Sequence, residues 1–267
     1  MKFKEIIILS LFALCLFTVW RCTTIKKEVD NFNLFPVSDD VKLGKQTSTE
    51  IAGNTKEYPI LPEASNQEVY NYIKNIRDKI LATGRVQYRN QFTWDIKIIK
   101  DDNTLNAFCT PGGHIYVYTG LIKYLDSEDQ LAGVLGHEIA HAALRHSTRQ
   151  MTKLYGVQML TDYLLGKKDV VKQITQGIVG LQFSRSNEKE ADEYSVSYLC
   201  GTQYKANGAA GFFKKIGAKG GSKVPEFLST HPNPGNRVAD IENRARKMQC
   251  KGDKSYATEY ARIKSKL

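Results

Sequence analysis

A helix in the middle of the chain is predicted to be apolar on every face. Its start is indicated by Ser127 and Gln130, which have the spacing of a capping box. The hydrophobic residues that follow are Leu131, Ala132, Val134, Leu135, Ile139, Ala140, Ala142, Ala143 and Leu144. Such a helix is expected to be buried. It nevertheless carries His137, Glu138 and His141, and a buried polar group without a partner costs free energy.

Shorter patterns predict further helices before and after this one. Ser65 and Glu68 form another capping-box pattern. The apolar residues that follow at helical spacing are Val69, Tyr72, Ile73, Ile76 and Ile80. Gly84 is the predicted stop of that helix. One helix is also predicted to begin at Ser38, and another to cover residues 187–200.

Two patterns predict a small sheet. Hydrophobic and polar residues alternate in one segment, whose apolar positions are Phe92, Trp94, Ile96 and Ile98. Residues 106–120 then predict two strands around a turn at Pro111, Gly112 and Gly113. The order of helices, strands and helices predicts one α+β domain.

The first 21 residues have the pattern of an export signal. Two lysines precede an apolar run over residues 6–20, which is short for a membrane span but typical of a secretory signal. Cys22 follows where a lipid-modified cysteine would lie, although the three residues before it are not small. We therefore expect an exported, periplasmic protein attached to the membrane, with residues 1–21 as a signal peptide or anchor. Residues 22–37 are assigned to a tether and residues 38–267 to the folded domain.

Charge and cysteine content exclude several other classes of protein. The formal net charge of +10 predicts a basic surface, or affinity for anionic membranes. Because Lys and Arg are spread along the chain without a nucleic-acid motif, DNA and RNA binding are excluded. Cys109, Cys200 and Cys250 lack C-x-x-C spacing, which argues against a thiolate zinc site. Cys200 and Cys250 could pair in an oxidising compartment, or all three could remain thiols.

A metal site explains the polar residues of the buried helix. His137 and His141 are four residues apart, so their side chains lie one turn apart on one helix face. Two imidazoles placed in this way can bind one Zn²⁺ at about 2.0–2.1 Å. Glu138 points to the side of such a metal, where it can take a proton from water. This is the H-E-x-x-H arrangement of zinc proteases.

The helix predicted at residues 187–200 offers the third protein ligand that a catalytic zinc requires. Glu188 and Asp192 share a face with apolar residues, which can turn inward. Glu190 lies among polar neighbours on a wetter face, and we expect it to contribute little to metal binding. Glu188 is therefore the predicted ligand. Asp192 can accept a hydrogen bond from a ligating histidine and fix its tautomer.

Four segments of the chain together resemble one superfamily of proteases. They are "NAFCTPGGHIYVYTGL", "LDSEDQLAGVLGHEIAHAALRH", "SRSNEKEADEYSVSYL" and "HPNPGNR". In this order they are similar to the signatures of the HtpX and CaaX-prenyl-protease superfamily of zinc metalloendopeptidases. The branch that they resemble is the soluble, exported one with BepA-, LoiP- and Oma-type protease domains. The likeness covers residues 33–246.

The resemblance implies a gluzincin fold, which is α+β and mainly helical with a small sheet. It places Glu188 in the family's E-x-x-A-D motif as the metal ligand, and Asp192 as the acid of that motif. It also implies that Asn106, Ala107 and Phe108 form a sheet edge on which an extended substrate lies.

The remaining histidines are predicted to differ in their roles. By the resemblance, His231 and Arg237 belong to the family's H-P…R motif and are candidate catalytic residues. We expect His231 to approach the open metal position in the resting enzyme. His146 comes nine positions after His137, about half a turn round the helix, and is expected to face away from the metal. His114 lies on a predicted strand and is expected to be structural.

These features predict a zinc metalloendopeptidase with one Zn²⁺ per chain. The resemblance and the N-terminal signal imply that its substrates are unfolded or misassembled cell-envelope proteins. One alternative is a zinc-containing, chaperone-like binding protein without proteolysis, although a purely structural site would not need Glu138 as a base. A peptidase for short peptides is the other alternative.

Overall fold

The computed structural model describes residues 32–155, 157–218, 226–233 and 235–267. The strands in this part of the chain are β1 (Ile96–Ile99), β2 (Ala107–Thr110) and β3 (His114–Tyr118). The helices are α1 (Val37–Gly53), α2 (Gln67–Leu81), α3 (Thr119–Tyr124), α4 (Glu128–Ala143), α5 (His146–Leu154), α6 (Val157–Leu164), α7 (Lys168–Val179), α8 (Arg185–Leu199), α9 (Gly208–Ala218), α10 (Glu226–Thr230), α11 (Arg237–Lys247) and α12 (Ala257–Lys264). The prediction of a mainly helical α+β fold with a small sheet is confirmed.

The two strands predicted around Pro111 form part of a three-stranded sheet with the order β1-β3-β2. β3 pairs in parallel with β1 and antiparallel with β2. Gly112 and Gly113 connect β2 to β3 with φ angles of 75° and 86°, a region that favours glycine. β2 is therefore an edge strand of the described sheet.

β1 is shorter than the alternating pattern predicts. It begins at Ile96, whereas Phe92 and Trp94 lie in the preceding loop. Trp94 has a left-handed φ of 51°, which is incompatible with an extended strand. Both aromatic side chains are buried nonetheless. The alternation therefore reflected burial of these rings and not strand geometry.

Helix α4 lies at the centre of the hydrophobic core, as its apolar sequence predicts. All of its residues except Gln130 are buried. Its glycines permit close contact with two neighbouring helices. A Cβ on Gly133 would lie 2.2 Å from the backbone nitrogen of Ala209 on α9, and one on Gly136 would lie 2.8 Å from the hydroxyl of Ser195 on α8. These contacts fix α4 against the helix that carries Glu188.

Both predicted capping boxes are wrong, although each precedes a helix. α2 begins at Gln67 after Asn66, so Ser65 lies outside the cap. Ser127 does occupy the N-cap position of α4, but its hydroxyl bonds to the Asp129 side chain and makes no bond to the helix backbone. The two sequence patterns therefore located the starts of α2 and α4. Neither helix, however, forms the reciprocal side-chain bonds of a capping box.

Residues 32–36 contact the folded domain, although the sequence assigns them to a tether. Phe35 is buried, and the side-chain amide of Asn33 donates a hydrogen bond to Thr148 on α5. The export signal and Cys22 lie outside the described residues, so their assignments remain predictions. Within the described ranges, no helix is both long enough and apolar enough to cross a membrane.

A disulfide joins Cys200 to Cys250, which decides between the two alternatives for the cysteines. It connects the end of α8 to the segment after α11, with the two Cα atoms 4.9 Å apart. Such a cross-link restricts the unfolded chain and so favours the folded state. Cys109 on β2 keeps its thiol and is buried.

Candidate metal centre

Two helices and one loop bring four metal-binding side chains together. α4 presents His137 and His141 on adjacent turns, and α8 presents Glu188 from its first turn. His231, which follows α10, reaches the same point. The four potential ligand atoms lie within 4.8 Å of one another, and all four residues are buried. The structure thus joins the three predicted ligands with the histidine that was expected to approach them.

The distances within this cluster suit a small metal ion. Nε2 of His141 lies 2.9 Å from Nε2 of His137 and 3.3 Å from Oε1 of Glu188. Nδ1 of His231 lies 3.1 Å from the same oxygen of Glu188 and 3.3 Å from Nε2 of His137. Four ligands bound tetrahedrally at about 2.0–2.1 Å lie roughly 3.3 Å from one another. The side chains present therefore fit a tetrahedral metal.

The pKa shifts of two cluster residues, His141 and Glu188, also suit a cation. Burial lowers the pKa of His141 well below its usual range, so this imidazole keeps a lone pair for a metal. Burial alone would raise the pKa of Glu188, but the imidazoles of His231 and His137 lower it well below its usual value. Neutral imidazoles and ionised carboxylates are the forms in which these groups bind metals.

Glu138 lies beside the cluster, where the motif predicts a base. Its Oε1 is 3.7 Å from Nε2 of His231. Neither carboxylate oxygen of Glu138 nor Nε2 of His231 has a hydrogen-bond partner in the described part of the chain. Burial raises the pKa of Glu138 to about 7. A carboxyl group with a pKa near neutrality can both accept and return a proton, as a general base must.

Asp192 and Arg237 contact the ligands His137 and Glu188. Oδ1 of Asp192 lies 2.9 Å from Nδ1 of His137, which is the contact that helix spacing predicts. Burial alone would lower the pKa of His137, but hydrogen bonds to Asp192 and Glu188 raise it. Arg237 donates to Asp192 at 2.8 Å and to Glu188 at 3.0 Å, and its guanidinium carbon lies 3.9 Å from the Phe213 ring centroid. Arg237, a catalytic candidate by resemblance, thus contacts the carboxylates of the ligand Glu188 and of Asp192.

The prediction that His146 faces away from the site is wrong. Its Nδ1 lies 2.9 Å from Nδ1 of His141, and its Nε2 lies 3.1 Å from Oε2 of Glu190. The helix α4 ends at Ala143, and Arg145 adopts a left-handed φ of 57°. Residue 146 therefore does not continue the helix from which its direction was extrapolated.

His114 lies apart from the cluster, on β3. It is buried, and its Nδ1 is 2.7 Å from Oδ1 of Asp95. This position agrees with the expected structural role.

Two aromatic residues that no motif indicates cover the cluster. The ring of Phe183 stacks on His141 with centroids 4.0 Å apart, and the ring of Phe227 stacks on His231 at 4.3 Å. The backbone N–H of Phe183 donates to the carbonyl of Thr230 at 3.1 Å, which ties the two covering segments together. Apolar residues near a motif carry no signal of contact with it, because such residues are common in any core.

The predicted substrate residues lie on the edge strand β2 and just before it. Asn106 accepts a hydrogen bond from the backbone N–H of Tyr118 at 3.1 Å, so its carbonyl faces β3. Because hydrogen-bonding direction alternates along an antiparallel strand, Phe108 also faces β3, while the backbone groups of Ala107 and Cys109 face outward. The Phe108 side chain packs in a separate hydrophobic cluster, on the face of the sheet opposite to the side chains of Ala107 and Cys109. Ala107 and Cys109 are thus the residues of β2 whose backbone groups point away from β3, and both residues are buried.

The comparisons with known proteins agree with this geometry. The chain is 34% identical, over 53% of its length, to the mitochondrial metalloendopeptidase OMA1 of Arabidopsis thaliana. It is 30% identical, over 69% of its length, to the mitochondrial metalloendopeptidase OMA1 of Schizosaccharomyces pombe. It is 32% identical, over 56% of its length, to the beta-barrel assembly-enhancing protease of Escherichia coli.

The matched regions are parts of longer relatives. The chain covers 29%, 55% and 34% of the length of these three proteins, respectively. The profile of Peptidase family M48 matches residues 68–245, a span that contains the four clustered side chains and Glu138. Because this match covers more than half of the sequence, and because it agrees with the buried cluster, the chain belongs to peptidase family M48.

Proposed function

We propose that this protein is a zinc metalloendopeptidase with one Zn²⁺ per chain. The observation that carries the proposal is the buried cluster of His137, His141, Glu188 and His231 with Glu138 beside it. A ligand set of imidazoles and one carboxylate in tetrahedral arrangement is typical of zinc. A purely structural site would not place an unpaired, buried carboxylate next to the metal position.

The residues of the site have separate tasks in this proposal. His137, His141 and Glu188 hold the metal, and bound zinc supplies the Lewis acid that polarises a peptide carbonyl and lowers the pKa of water to about 7. Glu138 takes the proton of the attacking water and later gives it to the leaving amine. Because both Glu138 and His231 are buried, His231 and its loop must move before a peptide can reach them.

We further propose that substrate binds as an added strand along β2. The backbone groups of Ala107 and Cys109 face away from β3 and are positioned to pair with an extended peptide. Asn106 and Phe108 support this edge by bonding to β3. An extended, unstructured substrate suits this mode, because a folded protein has few strands free to pair.

The natural substrates in this proposal are unfolded or misassembled cell-envelope proteins. Two features support the choice: the export pattern of residues 1–21 and the similarity to a bacterial protease named for assembly of beta-barrels. The same pattern supports a periplasmic location with membrane attachment at the N-terminus, through Cys22 or through an uncleaved anchor.

Replacement of the base tests the proposed activity. Glu138→Gln should abolish cleavage of casein, an unfolded protein, while the zinc content stays near one per chain, because Glu138 lies beside the ligands and not among them. Glu193→Gln on α8 is the control and should cleave like the wild type. Wild-type turnover in Glu138→Gln would refute the assigned base. A wild type that retains unfolded protein without cutting it would support the chaperone-like alternative.

The mode of attachment has its own test. Labelled palmitate should enter the wild-type protein in cells but not Cys22→Ser. If mass spectrometry finds residues 1–21 still attached and no label is incorporated, the uncleaved anchor is the correct assignment.

A further inference from the structure

The two histidines of α4 are held differently on their outer sides. Nδ1 of His137 meets the carboxylate of Asp192 directly, at 2.9 Å. Nδ1 of His141 meets instead Nδ1 of a second imidazole, His146, at 2.9 Å. Nε2 of His146 then lies 3.1 Å from a carboxylate oxygen of Glu190. Each of the two histidines of α4 is thus backed by an acid, His137 directly and His141 through His146.

The hydrogen atoms in this row follow from the direction of each ring. Nε2 of His141 points into the cluster, where it lies 2.9 Å from Nε2 of His137. If this Nε2 lone pair binds a metal, Nδ1 of His141 must carry the ring hydrogen. Nδ1 of His146 then accepts that N–H, and Nε2 of His146 donates its own N–H to Glu190. Every nitrogen in the row has one partner, and His146 is neutral.

The environment of His146 agrees with this assignment. The residue is completely buried, and a neutral imidazole in such a place needs a partner for each ring nitrogen, one as acceptor and one as donor. Glu190 is held in turn by Arg149, whose Nη1 lies 3.4 Å from the same Oε2. His146 is not itself part of the cluster of potential ligands. Its ring nitrogens are both directed to protein groups.

The backbone is shaped to make this contact. Arg145 adopts a left-handed φ of 57°, a conformation that residues other than glycine keep only where their surroundings enforce it. Nε of Arg145 donates to Oδ2 of Asp40 at 2.7 Å, and its guanidinium also donates to the carbonyl of Phe35. α1 and the segment before it therefore hold the turn that brings His146 back onto His141.

We propose that His146 and Glu190 are positioning residues for the metal ligand His141. Together they fix the tautomer and the ring orientation that present Nε2 of His141 to the metal, as Asp192 does for His137. Hydrogen bonds of this kind typically change metal affinity by about 10–100-fold. The inference rests on the proposed zinc site. In this proposal Glu190 contributes to metal binding, whereas its polar helix face predicted that it would contribute little.

Zinc affinity of the full-length chain, measured by competition with a chromophoric chelator, tests the proposal. His146→Leu should weaken zinc binding by about 10–100-fold, and Glu190→Ala should also weaken it. His146→Asn should recover most of the affinity, because the side-chain oxygen of asparagine can accept near the position of Nδ1. Glu193→Ala on the same helix is the matched control and should bind like the wild type.

A spectroscopic readout separates positioning from simple packing. In the zinc-loaded chain with ¹⁵N-labelled histidine, NMR should show the ring hydrogen of His141 on Nδ1. That hydrogen-bonded proton should shift upfield in His146→Leu and return towards its original position in His146→Asn. If His146 served only in packing, His146→Asn would not restore the chemical shift of the His141 proton.

The outcomes distinguish this inference from the proposed function. Wild-type zinc affinity in both His146→Leu and Glu190→Ala would overturn the inference and leave the zinc site intact. Protonation of His141 on Nε2 in the zinc-loaded wild type would overturn it as well. A wild-type chain that binds no zinc would refute the proposed function itself. If His146→Leu does not fold, Glu190→Ala decides, since the Glu190 side chain is partly exposed.

Discussion

The helices that carry the metal ligands differ from the segments that cover them in how they are held. α4 and α8 lie in the core, and a buried hydrogen bond from the Ser195 hydroxyl to the Gly133 carbonyl joins them at 2.8 Å. The glycines of α4 let the helices approach so closely that a single added carbon would clash. His137, His141 and Glu188 therefore sit on a rigid base.

The hydrogen bonds of the cover include an exposed one, although the rings of Phe183 and Phe227 are buried. The backbone of Phe183 bonds to Thr230, and the exposed side chain of Gln182 bonds to the carbonyl of Ser229. α10 has only five residues, and the N–H of Phe227 bonds to the carbonyl of Leu105. These bonds link the two covering segments to each other and to Leu105, and none of the three involves α4 or α8.

This contrast suits the two demands of a peptidase that acts on polypeptides. The metal must be retained for the lifetime of the protein, whereas the substrate must enter and leave in each cycle. His231 links the two regions, because it belongs to the covering segment but contacts the ligands Glu188 and His137.

Removal of the carboxylate ligand should have the largest effect. Glu188→Ala deletes one of three ligands on the rigid half and leaves Arg237 without one of its two carboxylate partners. We expect loss of bound zinc after dialysis, measured by elemental analysis, together with loss of casein cleavage. The loss of zinc affinity should exceed the roughly 100-fold change at the upper end for a supporting residue. Zinc retained at one per chain would show that Glu188 is not a ligand.

Loss of a supporting acid should have a smaller effect. Asp192→Ala removes the acceptor for Nδ1 of His137 but no ligand, so we expect zinc affinity to fall by about 10–100-fold. Chelator competition measures the change. Asp240→Ala, an exposed acid on α11, is the control and should bind zinc like the wild type. An equal change in both variants would mean that general charge, and not the bond to His137, accounts for it.

The close packing of α4 should appear as a change in stability. Gly133→Ala places a carbon 2.2 Å from the Ala209 backbone. The helix propensity of alanine favours the variant by about 1 kcal/mol, and overpacking costs about 1–3 kcal/mol. We expect a net loss of up to about 2 kcal/mol in the free energy of unfolding, measured with urea on the zinc-free chain.

A matched glycine provides the control for this measurement. Gly217 lies on α9 with no atom within 4 Å of an added Cβ, so Gly217→Ala should be neutral or slightly stabilising. If both alanine variants have the same stability, α4 and α9 are less tightly packed than the structure indicates.

The parts of the site with a local cause could be predicted from the sequence. The i, i+4 spacing of His137 and His141 defines one helix face, and the same argument selected Glu188 and Asp192 on the next helix. The directions of these side chains depend only on helix geometry, and both helices lie where their apolar patterns predict. The strands around Pro111 were predictable for the same reason, because glycine and proline mark a turn locally.

The features that the sequence did not reveal depend on distant contacts. The direction of His146 depends on the turn at Arg145, a position with neither glycine nor proline, which is held by Asp40 from 105 residues away. The start of β1 depends similarly on the left-handed conformation of Trp94. Helical and strand periodicities assume a regular backbone, so they fail at the residue where tertiary contacts enforce an irregular one.

Removal of His231 should have the smallest effect, with a fall in zinc affinity and a rise in the rate of cleavage. The structure places its Nδ1 3.1 Å from Glu188 and 3.3 Å from His137, so it occupies the fourth position of the cluster. A closed site with four protein ligands is stable but has no open position for water. His231→Ala should therefore bind zinc somewhat more weakly and cleave casein a few fold faster than the wild type.

The pair of measurements decides what His231 does. Faster cleavage with weaker zinc binding is the result expected of a group that must leave the metal before substrate enters. Slower cleavage with unchanged zinc affinity would mean instead that His231 contacts the substrate in the transition state and that the cover contributes to catalysis. Asn233→Ala, an exposed change in the same loop, should alter neither quantity. A changed rate in that control would assign the effect to the loop and not to the imidazole.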